Sequence, residues 1–183
     1  MIATSSDARP PTGPDTPLLV SVSTAWEEEA LDGEAAPAWL PDESDCETWL
    51  RAGLRLLEPQ PPYSISLRFA TARESATLNN TYRQKDAPTN VLSFPAALGA
   101  AEEAWPQLAS QQEAEFLGDL VLCPSVVAGE ASAQGKAVAD HWAHLLLHGL
   151  FHLAGYAHIA QAEAAELAAL EIEALRSLGI ATP

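Results

Sequence analysis

Positive charge is scarce in this chain: of 183 residues, nine are Lys or Arg against 25 Asp or Glu, a formal net charge of −16. Attraction to phosphate is carried by Lys and Arg, so this balance excludes broad, nonspecific adhesion to nucleic acid. Cysteine is scarce as well. Cys46 and Cys123 are the two present, far apart and without a CxxC spacing, which excludes a disulfide framework and a cysteine metal site and leads us to expect a reducing, cytoplasmic setting. Long hydrophobic runs are missing. The most apolar stretch, Trp142 to Tyr156, is interrupted by His144, His148 and His152 and falls short of the ~18 residues that a membrane span needs. A soluble protein with no membrane partner is the expectation. Met1 to Pro17 lacks the basic start and apolar core of a secretory signal. Rich in Pro, Ser, Thr and Asp, it reads as a flexible tail ahead of one domain over residues 18–183.

The positive charge that does occur is gathered. Between Arg51 and Lys85, Arg51, Arg55, Arg68, Arg73, Arg83 and Lys85 stand against Glu58 and Glu74, so six basic residues minus two acidic ones give a local balance of +4. Hydrophobic periodicity orders the chain around this segment. Leu18–Thr24 is β-branched and alternating, the pattern of a strand. Asp45 is placed to cap a helix carrying Trp49, Leu50, Leu54 and Leu57, which ends before Pro59. Tyr63 to Ala70 alternates Ile65, Leu67 and Phe69 with Ser64, Ser66 and Arg68, as a half-buried strand does. Thr71 can cap a helix to about Tyr82. A loop then leads to a short strand from Val91 to Phe94, closed by Pro95.

The Ala-, Gln- and Glu-rich segment from Ala96 to Glu115 reads as a surface excursion. A further strand follows over Phe116 to Leu122, interrupted by Gly118 and Asp119. Pro124 opens a helix ending near Gly135, helical spacing resumes from Ala137 to about Leu153, and Gly155 is a terminator. The last helix, Gln161 to Leu178, carries a stripe of Leu167, Leu170, Ile172 and Leu175. Strands mixed with helices that cluster late in the chain imply an α+β fold: a mixed sheet packed with helices in a single domain.

The chemistry lies at the end of the penultimate helix. His148 and His152 are four apart, so both imidazoles project from one face a turn apart and can share a cation. Gly155 lets the chain turn so that His158 can supply a third nitrogen. Three protein ligands leave the fourth tetrahedral position open to water, which is the pattern of a catalytic zinc site, with one Zn2+ expected. The same spacing occurs in the metzincin proteases, HExxHxxGxxH, but here the first histidine is followed by Gly149, so the carboxylate that takes a proton from zinc-bound water is absent. His144 lies on the ligand face one turn before His148; for it and for His141, a packing or supporting role is expected.

The residues HGLFHLAGYAH (His148 to His158) resemble the signature H-G-x-x-H-L-x-G-Y-D-H of the YbeY family of metal-dependent ribonucleases. LNNTYRQKDAPTNVLSFP (Leu78 to Pro95) and LGDLVLCP (Leu117 to Pro124) look like segments of that family in the expected order. The resemblance implies a zinc-binding α+β fold and a single-strand-specific endoribonuclease acting in rRNA maturation, notably at 16S 3′ ends, and in ribosome quality control. It implies His148, His152 and His158 as metal ligands, and it places the family's functionally important arginine on Arg83. A guanidinium there suits a phosphate or a developing phosphorane charge, although Asp86 is a structural partner within reach in sequence. Asn90 and Asp119 are weaker candidates. Partners on this reading are single-stranded RNA and rRNA, with ribosomal proteins or a ribosome-assembly GTPase beside them and no DNA. Two other functions use the same residues: a ribosome-assembly binding factor with a structural zinc, and a zinc hydrolase of peptides or small molecules. Ala157 replaces the aspartate of the family pattern, a change that touches activity more than fold.

Overall fold

A computed structural model describes residues 18–26, 33–57, 62–96, 114–156 and 160–182. The tail before Leu18, most of the 96–115 excursion, Ala157 and His158 lie outside the described residues. Four strands, β1 (Leu18–Thr24), β2 (Tyr63–Phe69), β3 (Val91–Pro95) and β4 (Glu115–Leu122), form one sheet in the order β1-β2-β4-β3. The β1/β2 and β2/β4 pairs are parallel, while β3 runs antiparallel to β4 at one edge. Among the described residues the helices are α1 (Glu43–Leu54), α2 (Ala72–Arg83), α3 (Pro124–Gln134), α4 (Val138–Leu153) and α5 (Gln161–Ser177). The expected α+β fold with a mixed sheet is therefore present.

Local chemistry explains most of the boundaries. Thr71 caps α2 by accepting from the Glu74 amide at 3.1 Å, which satisfies one of the four amides a helix start leaves open. Helix α1 begins slightly earlier than expected. Asp42, not Asp45, is its N-cap, and Asp45 is the third helical residue: the Asp42 carboxylate accepts from the Asp45 amide at 2.8 Å while the Asp45 carboxylate accepts from the Asp42 amide at 3.3 Å. This reciprocal capping box needs an acidic residue at both positions, and either aspartate alone reads as a cap. Gly118 interrupts β4 because the strand is irregular there. The β2/β4 register shifts between Ser64 and Ile65, the Gly118 φ is +137°, and a Cβ would stand 2.2 Å from the Phe94 carbonyl oxygen.

The two faces of the sheet are unequal. Ile65, Leu67, Phe69, Leu120 and Leu122 join Leu50 and Leu54 of α1, Trp142, Leu146, Leu147, Leu150 and Phe151 of α4, and Leu167 and Leu175 of α5 in the main core. The opposite face carries a smaller cluster of Ala70, Leu92 and Val121, with Leu78 of α2 and Phe94 packed against it. Helix α4 is seated directly on β3 and β4 through Gly149. A Cβ at that position would meet Leu120 Cδ2 at 2.8 Å and Val91 Cγ2 at 3.4 Å. The glycine that replaces the protease glutamate is thus required by packing, and a carboxylate there would be driven into the core.

Candidate active site

One face of α4 is apolar and buried; the other carries His141, His144, His148 and His152. His148 and His152 do converge. Their Nε2 atoms are 3.0 Å apart and their ring centroids 4.5 Å apart. His148 Nδ1 lies 2.5 Å from Glu171 Oε1, and His144 Nε2 lies 3.2 Å from Glu171 Oε2. One carboxylate on α5 therefore braces two rings of α4.

Glu171 is largely buried, with its side chain 13% exposed. Burial pushes its pKa up, but the hydrogen bonds from His144 and His148 and their positive charge outweigh burial and hold the carboxyl down at about 2. An ionised carboxylate only accepts hydrogen bonds, so in neutral His148 the proton sits on Nδ1 and the Nε2 lone pair points toward His152. Two ring nitrogens 3.0 Å apart are within a few tenths of an ångström of the roughly 3.3 Å that separates two nitrogens sharing a tetrahedral zinc. The donor set and the fixed tautomer both fit a metal ion. Among the described residues, no three His, Cys, Asp or Glu side chains are grouped so as to hold one, and the third histidine of the motif, His158, lies outside them.

A second polar group adjoins the first. His141, 4% exposed, has its Nε2 2.8 Å from Glu130 Oε2, and the Asn90 amide donates to the same carboxylate at 3.1 and 3.2 Å. Asn90 also accepts from the Val91 amide at 2.7 Å, which fixes the start of β3. Asn90, Glu130, Lys136, His141, His144 and His148 share a cavity of about 310 Å³. His144 shares Glu171 with His148, and His141 is packed against Glu130. Asp119 is exposed on β4 and lines none of this cavity.

Arg83 is the last residue of α2 and is exposed. Among the described residues it forms no ion pair with Asp86 and does not line the cavity beside His148. The basic segment is less positive than its composition implies at Arg51, which a carboxylate from outside the segment neutralises. Arg51 is paired with Glu47 at 2.5 Å and Arg68 with Glu74 at 3.0 Å, while Arg73, Arg83 and Lys85 are exposed on or just after α2.

Glu171 and Glu130 are the residues of this polar face that sequence reasoning passed over. Glu171 lies 23 residues from His148, and it interrupts the α5 stripe between Leu167 and Leu175, both fully buried. A carboxylate four residues from each of two core leucines must face inward, and that was the available signal.

The family model described as endoribonuclease YbeY matches residues 40–179. The chain belongs to that family. An endoribonuclease YbeY from Chromohalobacter salexigens is 45% identical over 150 residues, covering 82% of this chain and 91% of that protein. The solution structure of a Thermotoga maritima protein aligns with a TM-score of 0.50 at 18% identity, covering 88% of this chain and 92% of the other, a likeness in fold alone. The chain is accordingly an endoribonuclease, a hydrolase whose partner is RNA.

Proposed function

We propose that this YbeY-family member is a zinc-dependent, single-strand-specific endoribonuclease of the cytoplasm that acts in 16S rRNA 3′-end maturation and ribosome quality control, with residues 18–183 as its working domain. The observation that carries the metal part is the approach of His148 Nε2 and His152 Nε2 to 3.0 Å with Glu171 fixing the His148 tautomer. His158 is the third ligand on this reading. When bound, the ion would supply the charge that acidifies a water or polarises a phosphoryl oxygen.

The protein's own groups do the rest. Glu171 keeps the proton on His148 Nδ1 and holds His144 in register beside it. Arg83, with no carboxylate partner among the described residues, is available to a scissile phosphodiester and to the extra negative charge that develops as water attacks phosphorus. Ribosomal proteins, generally basic, or a ribosome-assembly GTPase are docking partners that the −16 surface suits.

Metal analysis of the purified protein, together with a cleavage panel of single-stranded RNA, double-stranded RNA, peptides and esters with and without chelator, tests the reading. We expect about one zinc per chain and chelator-sensitive cleavage of single-stranded RNA only. Arg83→Ala should keep the zinc and lose cleavage. Full cleavage by the metal-free protein would sink the proposal, and a metal-ligand variant that folds and still supports ribosome maturation in cells would favour an assembly factor with a structural zinc.

A further inference from the structure

Four large apolar side chains stand substantially exposed among the described residues: Leu19, Trp39, Tyr82 and Phe116. Tyr82 differs from the rest in how it is held. At 62% exposure its ring is nonetheless braced, edge to face, by Phe94 at a centroid distance of 5.0 Å and an interplanar angle of 73°. Phe94 in turn packs on the small cluster of Ala70, Leu92 and Val121 behind it. The Tyr82 hydroxyl makes no hydrogen bond among the described residues, so the ring is fixed by packing while its surface stays in water. The edge-to-face contact holds the ring in one orientation and leaves its other surface open to a partner.

We infer that Tyr82, braced by Phe94, is a stacking platform for an unpaired base of the RNA substrate, with Arg83 and Lys85 holding the phosphates beside it. Every nucleobase has an aromatic face, so one rigid exposed ring flanked by cations binds single strands with little regard to sequence. Arg83 follows Tyr82 directly and Lys85 comes two residues later; both are exposed, and neither is in an ion pair among the described residues, with Asp86 the one nearby carboxylate in sequence. The platform is tied to the histidine cavity by β3. Asn90 lines that cavity and Phe94 lies four residues further along an extended strand, roughly 13 Å at strand rise.

A paired base is already stacked within its helix and offers no free face, so this surface also supplies a reason for preferring single strands. The inference rests on the ribonuclease reading above and names how that substrate is held.

The test is binding of a labelled single-stranded oligoribonucleotide to the full chain by fluorescence anisotropy, repeated with the same strand made abasic. Tyr82→Phe should bind like wild type. Tyr82→Ala should weaken binding roughly 5- to 150-fold, the range of a lost base stack. Tyr82→Leu, which keeps an apolar contact on Phe94, should weaken it similarly, which separates stacking from support of the fold. On the abasic strand all four proteins should bind alike. Equal affinity of Tyr82→Ala and wild type for the intact strand would overturn the platform alone, and so would an equal loss on both strands. A wild-type protein that binds no single-stranded RNA would sink the ribonuclease reading and the platform with it.

Discussion

Of the three histidine–carboxylate pairs on α4 among the described residues, those of His148 and His141 stand seven residues and so about two turns apart. In each, a carboxylate from another helix grips the ring: Glu171 of α5 on His148 at 2.5 Å, and Glu130 of α3 on His141 at 2.8 Å. The pairs differ in which nitrogen is gripped. On His148, Glu171 takes Nδ1, the atom nearer the backbone, and leaves the outer Nε2 facing its counterpart on His152 at 3.0 Å, while the other Glu171 oxygen meets His144 at Nε2. Glu130 takes the outer Nε2 itself, and the remaining Nδ1 of His141 is buried with no hydrogen-bond partner among the described residues. A carboxylate on an imidazole is therefore no sign of a metal site by itself. The direction of the remaining lone pair separates the two, outward toward His152 in one case and into the packed interior in the other.

Removing one ring from each pair tests the comparison most severely. His152→Ala should abolish stoichiometric zinc and RNA cleavage together, read by metal analysis and by cleavage of a single-stranded RNA. His141→Ala should keep its zinc and instead lose stability, about 1–3 kcal/mol for a buried hydrogen-bonded group whose partners are left behind, read by denaturant unfolding. Loss of zinc in His141→Ala would erase the distinction.

The carboxylates give the finer version. Glu171→Gln should weaken metal affinity ~10–100-fold, the usual cost of losing the group that orients a ligand histidine, measured by competition with a chromogenic chelator. Glu130→Gln should leave that affinity unchanged. If both glutamines cost the same, the two pairs serve one site and the difference in nitrogen means nothing.

Both pairs were half legible in the sequence. The four histidines of α4 announce themselves because helical spacing is local: residues three and four apart share a face whatever the rest of the chain does. The elements that position them were legible for the same reason. β1 and β2 follow from alternation, α2 from Thr71, and the ends of α3 and α4 from Gly135 and Gly155. The carboxylates were not legible as partners, because Glu171 and Glu130 reach the helix only through tertiary packing 23 and 11 residues away. The capping aspartate of α1 was displaced from Asp45 to Asp42 because the box uses both. Gly149 was read as a missing glutamate; the structure adds that Leu120 and Val91 leave no room for one. Charge counting overstated the basic segment, since Glu47 of α1 neutralises Arg51 from outside it.

A further buried titratable group, on the other side of α4, sharpens the comparison by lacking a partner of opposite sign among the described residues. Cys46 is fully buried in α1 within the core that α1 shares with the apolar face of α4. Burial raises its thiol from 9.0 to about 12, and the nearby Asp45 and Asp42 add to the effect. Where Glu171 is held ionised by histidines, Cys46 is held neutral by burial and like charge. The sign of its contribution follows. Between pH 9 and about 12 the unfolded chain releases this proton and the folded chain keeps it, so the stabilisation is fully present below pH 9 and is lost as the pH rises through that window. Denaturant unfolding at successive pH values should show this alkaline decline in wild type, and a shallower one in Cys46→Ala, whose zinc content should be unaltered. An equally steep decline in Cys46→Ala would assign the alkaline loss to other groups, and the thiol would then be a packing residue whose proton has no bearing on the fold.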